Sequence, residues 1–395
     1  MTLKEIKNNI FYCGLNHRER RFFDELIPLP IGTTYNSYLI KASEKTVIID
    51  TMYPPKTDEY LEKLESAGIE KIDYIVANHG EQDHTGALPK MLKRYPEAKI
   101  LTNPKCKEII QEMLHVEDEK FQIVADGEEI SLGNKTLKFI YTPWVHWPDT
   151  MFTYIPEDKL IFTCDFLGSH SPFENLYSDD SCEILKAAKR YYAEIMMPFR
   201  NFCKKYTQML KNMDIDMILT SHGPIYKNPQ FILDAYESWT SDDCKNEVII
   251  PYVSMYESTK EMVNYMCEKL SEKGITVKPF NIVEGDVGEL AMELVDACTI
   301  VFGSSMVLAG PHPTAVNSAY LTGILKPKAK VISFIGSYGW GGILTEKLEQ
   351  FLTPLKAEKL EPVIIKGKCR EEDFIKLDAL IEEIYQKHKS LGLVL

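Results

Sequence analysis

The chain has 395 residues, 45% of them hydrophobic and 26% charged, and a formal net charge of -13. That length outgrows one ordinary core and implies two domains. The acidic balance excludes nucleic acid and anionic membrane surfaces as partners, because both would repel it.

The first seven residues are charged and lack the apolar core of a signal peptide. Nine cysteines are scattered at 13, 106, 164, 182, 203, 244, 267, 298 and 369 with no Cys-x-x-Cys. Reduced thiols in a cytoplasmic protein follow, and a fused rubredoxin-like iron site is excluded. From residue 35 strands and helices alternate. Residues 35–40 and 46–50 predict a hairpin, 57–67 a helix, and 72–77 a buried strand ending where polar residues begin. A helix over 87–94, a strand at 100–102 and a helix over 105–114 come next. Strands at 121–125, 129–132 and 137–141 then precede a long helical region, 183–213, which Pro198 should break or kink.

The stretch Asn78-His79-Gly80-Glu81-Gln82-Asp83-His84-Thr85-Gly86 organises this half. Four potential metal ligands, His79, Glu81, Asp83 and His84, fall within six positions. That spacing suits two metal ions, since one ion rarely takes four ligands from six adjacent residues without strain. A solvated acidic loop is the plainer alternative. Three later strand ends supply partners: His146 in Trp144-Val145-His146-Trp147-Pro148-Asp149, Asp165 after the run 160–164, and His222 after 217–221. Loops at strand ends place chemistry on a rigid scaffold, and the Asp165 carboxylate could bridge two cations.

The pattern His-x-Glu-x-Asp-His, followed by His, Asp and His, resembles the metallo-β-lactamase superfamily. Glu81, with Trp-x-His-Trp-Pro-Asp-Thr behind it, resembles the flavodiiron proteins in particular. The hydrolase branch usually has His at that place, and hard oxygen ligands move a site from zinc toward iron or manganese. The resemblance implies an αββα sandwich in which one iron takes His79, Glu81 and His146. The other takes Asp83, His84 and His222, and Asp165 bridges them. It also implies a Tyr near the pocket, for which Tyr191 and Tyr192 are candidates, with His170 as a further pocket or surface residue. Relatives carry a non-ligating His before the first hairpin; here that region reads Arg20-Arg21-Phe22-Phe23-Asp24-Glu25, with His17 upstream.

Near residue 245 the character changes, which divides the chain into domains 1–246 and 247–395. Strands are predicted at 248–253, 277–283, 299–303, 330–335 and 362–366, with helices starting near 258, 287, 314, 343 and 371. Five such β/α pairs imply a doubly wound parallel sheet. The uncharged stretch 297–325 is long enough to span a membrane, but Pro311, Pro313 and several Gly and Ser break it into strand, loop and helix.

The first strand runs into Ser254-Met255-Tyr256-Glu257-Ser258-Thr259-Lys260. Hydroxyls at a helix N-terminus favour phosphate, and the loop resembles the phosphate loop of flavodoxins. A plain N-cap is the alternative. The third and fourth strands end in Ser304-Ser305-Met306-Val307-Leu308-Ala309-Gly310 and Ser337-Tyr338-Gly339-Trp340-Gly341, where aromatics among glycines suit a flavin ring. Relatives usually have Pro-Thr and an Asn pair where residues 305–309 stand here. The whole therefore resembles a flavodiiron oxidoreductase. FMN would receive electrons from rubredoxin, a flavin reductase or a reduced deazaflavin, and two irons per chain would reduce O2 to water or NO to N2O. A head-to-tail homodimer, or a dimer of dimers, would bring each FMN beside a partner's metal site. A two-zinc hydrolase with a flavodoxin-like appendage is the second reading, and an electron carrier with a dead metal site the third.

Overall fold

Alternation along the strand Thr46–Ile49 explains the layering of the first half. Ile48 joins Leu39, Ile75 and Ile100 in a cluster with Tyr60, Leu64, Leu88, Met91, Cys106 and Ile110 of the flanking helices. Val47 and Ile49 face the other way and join Leu137, Phe139, Met151, Leu160, Phe162 and Leu219 of a second sheet. Both faces are therefore covered, which is why these strands read as continuous apolar runs. Each fully buried Ile, Leu or Val contributes about 1.5–3 kcal/mol.

The computed structural model describes residues 3–394. One unit takes the chain through Tyr192 together with Phe199–Thr240; the other takes Ser241 onward together with Ala193–Pro198. In the first unit, a seven-stranded sheet runs in the order Lys4–Lys7, Ile10–Tyr12, Tyr38–Lys41, Thr46–Ile49, Tyr74–Val76, Lys99–Thr102 and Phe121–Ile123. A five-stranded sheet, Glu129–Ser131, Thr136–Tyr141, Met151–Ile155, Leu160–Cys164 and Met217–Thr220, packs against it. Helices Thr57–Ser66, Leu88–Arg94 and Pro104–Leu114 cover the first sheet. Outside the second, rings from Tyr206 and Tyr236 on helices Arg200–Lys211 and Pro229–Thr240 meet Phe152 and Phe166. This is the αββα sandwich.

Two details depart from the sequence reading. The strand expected over 35–40 is interrupted, because Thr33–Tyr35 pairs with Leu15–His17 and only Tyr38–Lys41 joins the hairpin. The break falls at Asn36, whose amide nitrogen donates to the carbonyls of Thr220 and Gly223 at 2.8 and 2.7 Å. The Pro198 break is spread over a π turn, Tyr192–Met196, and a 3-10 turn, Met197–Phe199, between helices Cys182–Tyr191 and Arg200–Lys211.

In the second unit all strands of the main sheet run parallel. Thr276–Asn281, Lys245–Val253, Ala297–Val307 and Val331–Tyr338 are followed at the edge by Glu358–Lys359 and Val363–Lys366. That is the flavodoxin-like order, with helices Ser258–Glu272, Val287–Leu294, Pro313–Leu325, Thr345–Leu352 and Glu371–Ser390 between and after the strands. The uncharged stretch is strand, turn and a 13-residue helix. Among the described residues no helix is long and apolar enough to cross a membrane.

His388 closes this unit. Its Nδ1–H donates to Asn246 Oδ1 at 2.8 Å, while Nε2 accepts from Thr299 Oγ1 at 2.8 Å, tying the last helix to two strands. Burial lowers its pKa from 6.5 to about 4. The unfolded state therefore binds the extra proton first, so this stability is full above the ordinary His pKa and lost as pH falls toward 4. Allowing for partial screening, the loss should be about 2 kcal/mol. Amide protection factors in Lys245–Val253, corrected for the intrinsic pH dependence of exchange, should fall over that window, and a His388→Gln variant should lose the dependence.

Candidate metal centre and flavin loops

The strand Tyr74–Val76 delivers Asn78, which stitches the two sheets together. Its N–H and side-chain amide donate to Asp50 at 2.8 and 3.1 Å, its side-chain oxygen accepts from Thr153, and its carbonyl accepts from the Met151 N–H. At Gly80 a Cβ would lie 2.7 Å from Ile109 Cγ2, so only glycine permits the tight passage. A one-turn helix, Gln82–Thr85, then carries Asp83 and His84.

All seven predicted metal ligands converge. His79 Nε2 lies 3.1 Å from Glu81 Oε2 and 3.7 Å from Asp165 Oδ2, and His146 Nε2 is 3.5 Å from each of the same oxygens. His84 Nε2 and His222 Nε2 each lie 3.2 Å from Asp165 Oδ1, and 3.2 and 3.1 Å from the two oxygens of Asp83. Asp165 thus turns one oxygen to His79, Glu81 and His146 and the other to Asp83, His84 and His222. Six of the seven residues are buried and Glu81 is half-buried. Both Asp83 oxygens, Asp165 Oδ2, His84 Nε2 and His222 Nε2 are buried atoms with no hydrogen-bond partner. Buried polar groups are normally satisfied, and cations between the two trios would satisfy these. The oxygen-rich donor set fits iron.

The electrostatics agree. Burial alone would lower the imidazole pKa values, yet the Asp165, Glu81 and Asp83 carboxylates raise His146 to about 9 and His222 to about 10. His79 is raised well above its ordinary value despite burial, chiefly by Asp149, and His84 is raised by Asp165 and Asp83. Burial pushes Asp165 up, but His84, His146 and His222 pull it well below the carboxylate range. This cluster of carboxylates draws in positive charge, from protons or from cations.

Partners on the far ring nitrogens were not legible in the sequence. Asp149 Oδ2 sits 3.1 Å from His79 Nδ1 and accepts from the Gly80 N–H at 2.7 Å. His222 Nδ1 donates to the Thr34 carbonyl at 2.5 Å, and Cys164 Sγ lies 3.8 Å from His84 Nδ1. Asp149 stands inside the motif that carries His146, which was the one available signal for it. Asp149→Asn keeps the shape but removes the charge that orients His79. It should weaken metal binding at the His79 half by about 10–100-fold, read by anaerobic metal titration.

The candidate tyrosines separate. Tyr191 Oη donates to Asp165 Oδ1 at 3.0 Å, whereas Tyr192 Oη donates to the Trp239 carbonyl at 3.2 Å. His170 is no surface residue: its ring packs 5.3 Å from His222 and 4.8 Å from Tyr191, with Nδ1 2.9 Å from Thr33 Oγ1. Burial and then the His222 charge hold it neutral. His17 packs instead on Tyr35 and Tyr53. Asp24 is raised to about 6, chiefly by partial burial and then by the Glu81 charge, with smaller contributions from Asp83 and Asp165.

In the second unit the loop Ser254, Met255, Tyr256 and Glu257 leads into the helix Ser258–Glu272, with Tyr256 and Glu257 at positive φ. Ser254 Oγ accepts from the Lys260 N–H at 3.1 Å. Thr259 Oγ1 is buried without a partner, as is Ser305 Oγ. Residues 304–307 are strand rather than loop, and only Leu308 and Ala309 turn, at positive φ. Ser304 Oγ accepts from the His312 N–H, which ties the hairpin back. Ser337 and Tyr338 end the next strand, and Gly339, Trp340 and Gly341 follow, with Trp340 70% exposed. The unmet Thr259 hydroxyl at a helix N-terminus, with exposed Tyr256 and Trp340 on loops of the same unit, fits a flavin phosphate and ring.

Comparisons with known proteins agree with this geometry. Residues 33–223 match the model of the ODP family beta lactamase. A nitric oxide reductase of Moorella thermoacetica is 35% identical over 371 residues, covering 92% of each chain. The solved rubredoxin oxygen:oxidoreductase of Desulfovibrio gigas superposes with a TM-score of 0.93 at 28% identity, covering 98% of this chain and 99% of that one. A flavo di-iron protein variant of Thermotoga maritima gives 0.88 at 27% identity, covering 98% of each. Relatives named as oxidoreductases do not favour the hydrolase reading. With a mixed donor set at one sandwich end and a flavodoxin-like second unit, the chain belongs to the flavodiiron protein family.

Proposed function

We propose that this protein takes electrons from an external donor into FMN and on to two irons, reducing O2 to water or NO to N2O. The observation that carries this is Asp165, whose two oxygens face two separate ligand trios. Bound there, the irons would supply O2 or NO binding and electrons, while FMN would accept electron pairs and release them singly. We assign His79, Glu81 and His146 to one iron, Asp83, His84 and His222 to the other, and Asp165 to both. The Tyr191 hydroxyl holds a proton at Asp165 Oδ1, and Phe23 against His170 and His222 shields this side from water. We assign the metal site to the first unit and the flavin to the second, whose first strand, Lys245–Val253, runs across the 246/247 boundary expected from sequence, with Ser254–Thr259, Ser304–Leu308 and Ser337–Gly341 as the FMN loops. Anaerobic purification with iron and flavin analysis, then steady-state rates with O2 and with NO under one chemically defined reductant, tests the reading. A colourless protein holding only zinc would end it.

A rubredoxin-type donor fits the name of the Desulfovibrio relative, and nine free thiols fit a reducing cytoplasm. For assembly we propose a head-to-tail homodimer, since electron tunnelling falls steeply with distance and two-fold pairing is the commonest arrangement. His79→Ala and a Ser258/Thr259 double variant should each be inactive as homodimers. Co-expressed, they should give heterodimers with one working flavin–metal pair. Inactive heterodimers beside an active wild type would place electron transfer within one chain.

A further inference from the structure

The second unit holds, just before its first strand, a thiol pair that the reductase reading does not use. Residues 241–244 precede the strand Lys245–Val253 and lie outside any helix or strand. The Cys244 side chain hydrogen-bonds to that of Cys298, in the neighbouring strand Ala297–Val307. Cys298 is fully buried, while Cys244 is partly open to solvent. The strands pair at Lys245 and Ala297, and their register slips just beyond, between Lys245 and Val248. Charges of both signs surround the pair, with Asp296 lying between the Lys245 and Lys328 ammonium groups at 2.9 and 3.7 Å. Lys330 donates its N–H to the Cys298 carbonyl at 2.8 Å, and the Lys330 and Lys328 ammonium groups both act on the Cys244 sulfur. The Cys298 hydrogen bond first, then these lysines, lower Cys244 to about 7. Cys298 moves the other way, raised by its bond to Cys244 and by burial. One sulfur is therefore open to solvent with its thiolate favoured, and the other is its buried neighbour. That division of roles is the one a peroxide-reactive cysteine and its resolving partner need.

We propose that Cys244 and Cys298 form a reversible, hydroperoxide-driven disulfide. The Cys244 thiolate attacks one oxygen of hydrogen peroxide or an organic hydroperoxide. The O–O bond breaks, and water or an alcohol leaves after taking a proton. Cys298 Sγ then attacks the Cys244 sulfenic acid, the S–O bond breaks, and the departing hydroxide takes the Cys298 proton as water. Two thiols and one hydroperoxide thus give one disulfide, and two electrons pass from sulfur to the O–O bond. Because Cys244 stands just outside the strand that begins at Lys245, its side chain can close on Cys298 with little change in the sheet. The other cysteines supply internal controls, among them exposed Cys182.

The test treats the full-length, cofactor-loaded protein with an equivalent of hydrogen peroxide, alkylates remaining thiols in denaturant, and maps peptides by mass. The expected product is a Cys244–Cys298 cross-link, lighter by two hydrogens and undone by a thiol reductant. In Cys298→Ser the same treatment should instead leave Cys244 open to a sulfenic-acid probe, and Cys244→Ser should abolish both signals. Native alkylation of Cys244 should rise with a midpoint near pH 7. If wild-type Cys244 and Cys298 both remain alkylatable after peroxide has oxidised Cys182, or if the cross-link joins other cysteines, the proposal fails.

Discussion

Asp165→Ala should empty both metal positions at once, whereas loss of any terminal ligand should weaken one more than the other. The reason is geometric. Asp165 is the one carboxylate with an oxygen within 3.2–3.7 Å of all four imidazole Nε2 atoms. Two cations lose a shared anion and repel more strongly without it. Even residues that only orient ligands are worth about 10–100-fold in metal affinity, so a shared ligand should cost more than a hundredfold at each position. Asp165→Asn separates charge from shape, since it can fill the same space without the negative charge. Anaerobic iron titration with Mössbauer or magnetic readout distinguishes a coupled pair from isolated ions. Normal loading of two irons in Asp165→Ala would remove the bridging role.

A second large effect should come from the flavin loop. Changing Ser258 to Ala and Thr259 to Val removes two hydroxyls at the start of the helix Ser258–Glu272. Hydrogen bonds to a charged group are worth about 1.5–3 kcal/mol each, so FMN affinity should fall by a hundredfold or more. The flavin-free chain should behave differently. Thr259 Oγ1 is buried without a partner, so replacing it with a methyl group relieves an unmet polar atom. The melting temperature of the flavin-free double variant should therefore hold or rise while flavin binding collapses. A fluorescence titration with unchanged FMN affinity would overturn the phosphate role.

The seven residues proposed as metal ligands were legible in the sequence because each follows an apolar run, and an abrupt change from buried strand to polar loop is a local signal. Their orienting partners were not. Asp149 reaches His79 across 70 positions of chain, and its role exists only once two sheets have packed. Asn36 sat inside the strand expected over 35–40; its amide is committed to carbonyls nearly two hundred residues away. The short strands Leu15–His17, Phe22–Phe23 and Ile27–Pro28 were missed for a related reason. Two or three residues carry no period, and such strands exist because a partner strand holds them. Likewise Ser304 to Val307 read as loop, since nothing local tells that Gly310–Pro311 folds back to extend the strand.

The polar lacing beneath the ligands bears on how fast charge can move. Asn78 is bonded to Asp50, Asp50 to Ser221 at 3.2 Å, and Asn36 to the backbone on either side of Ser221. The strand ends bearing His79 and His222 are thereby clamped to one another by fully buried bonds, each stiffened by its low-dielectric surroundings. With ions bound, donors mounted on such a frame would adjust only slightly to a change in the ions' charge. Small nuclear displacement means a small reorganisation energy, so the same bonds that position the donors also keep the barrier to electron hopping low.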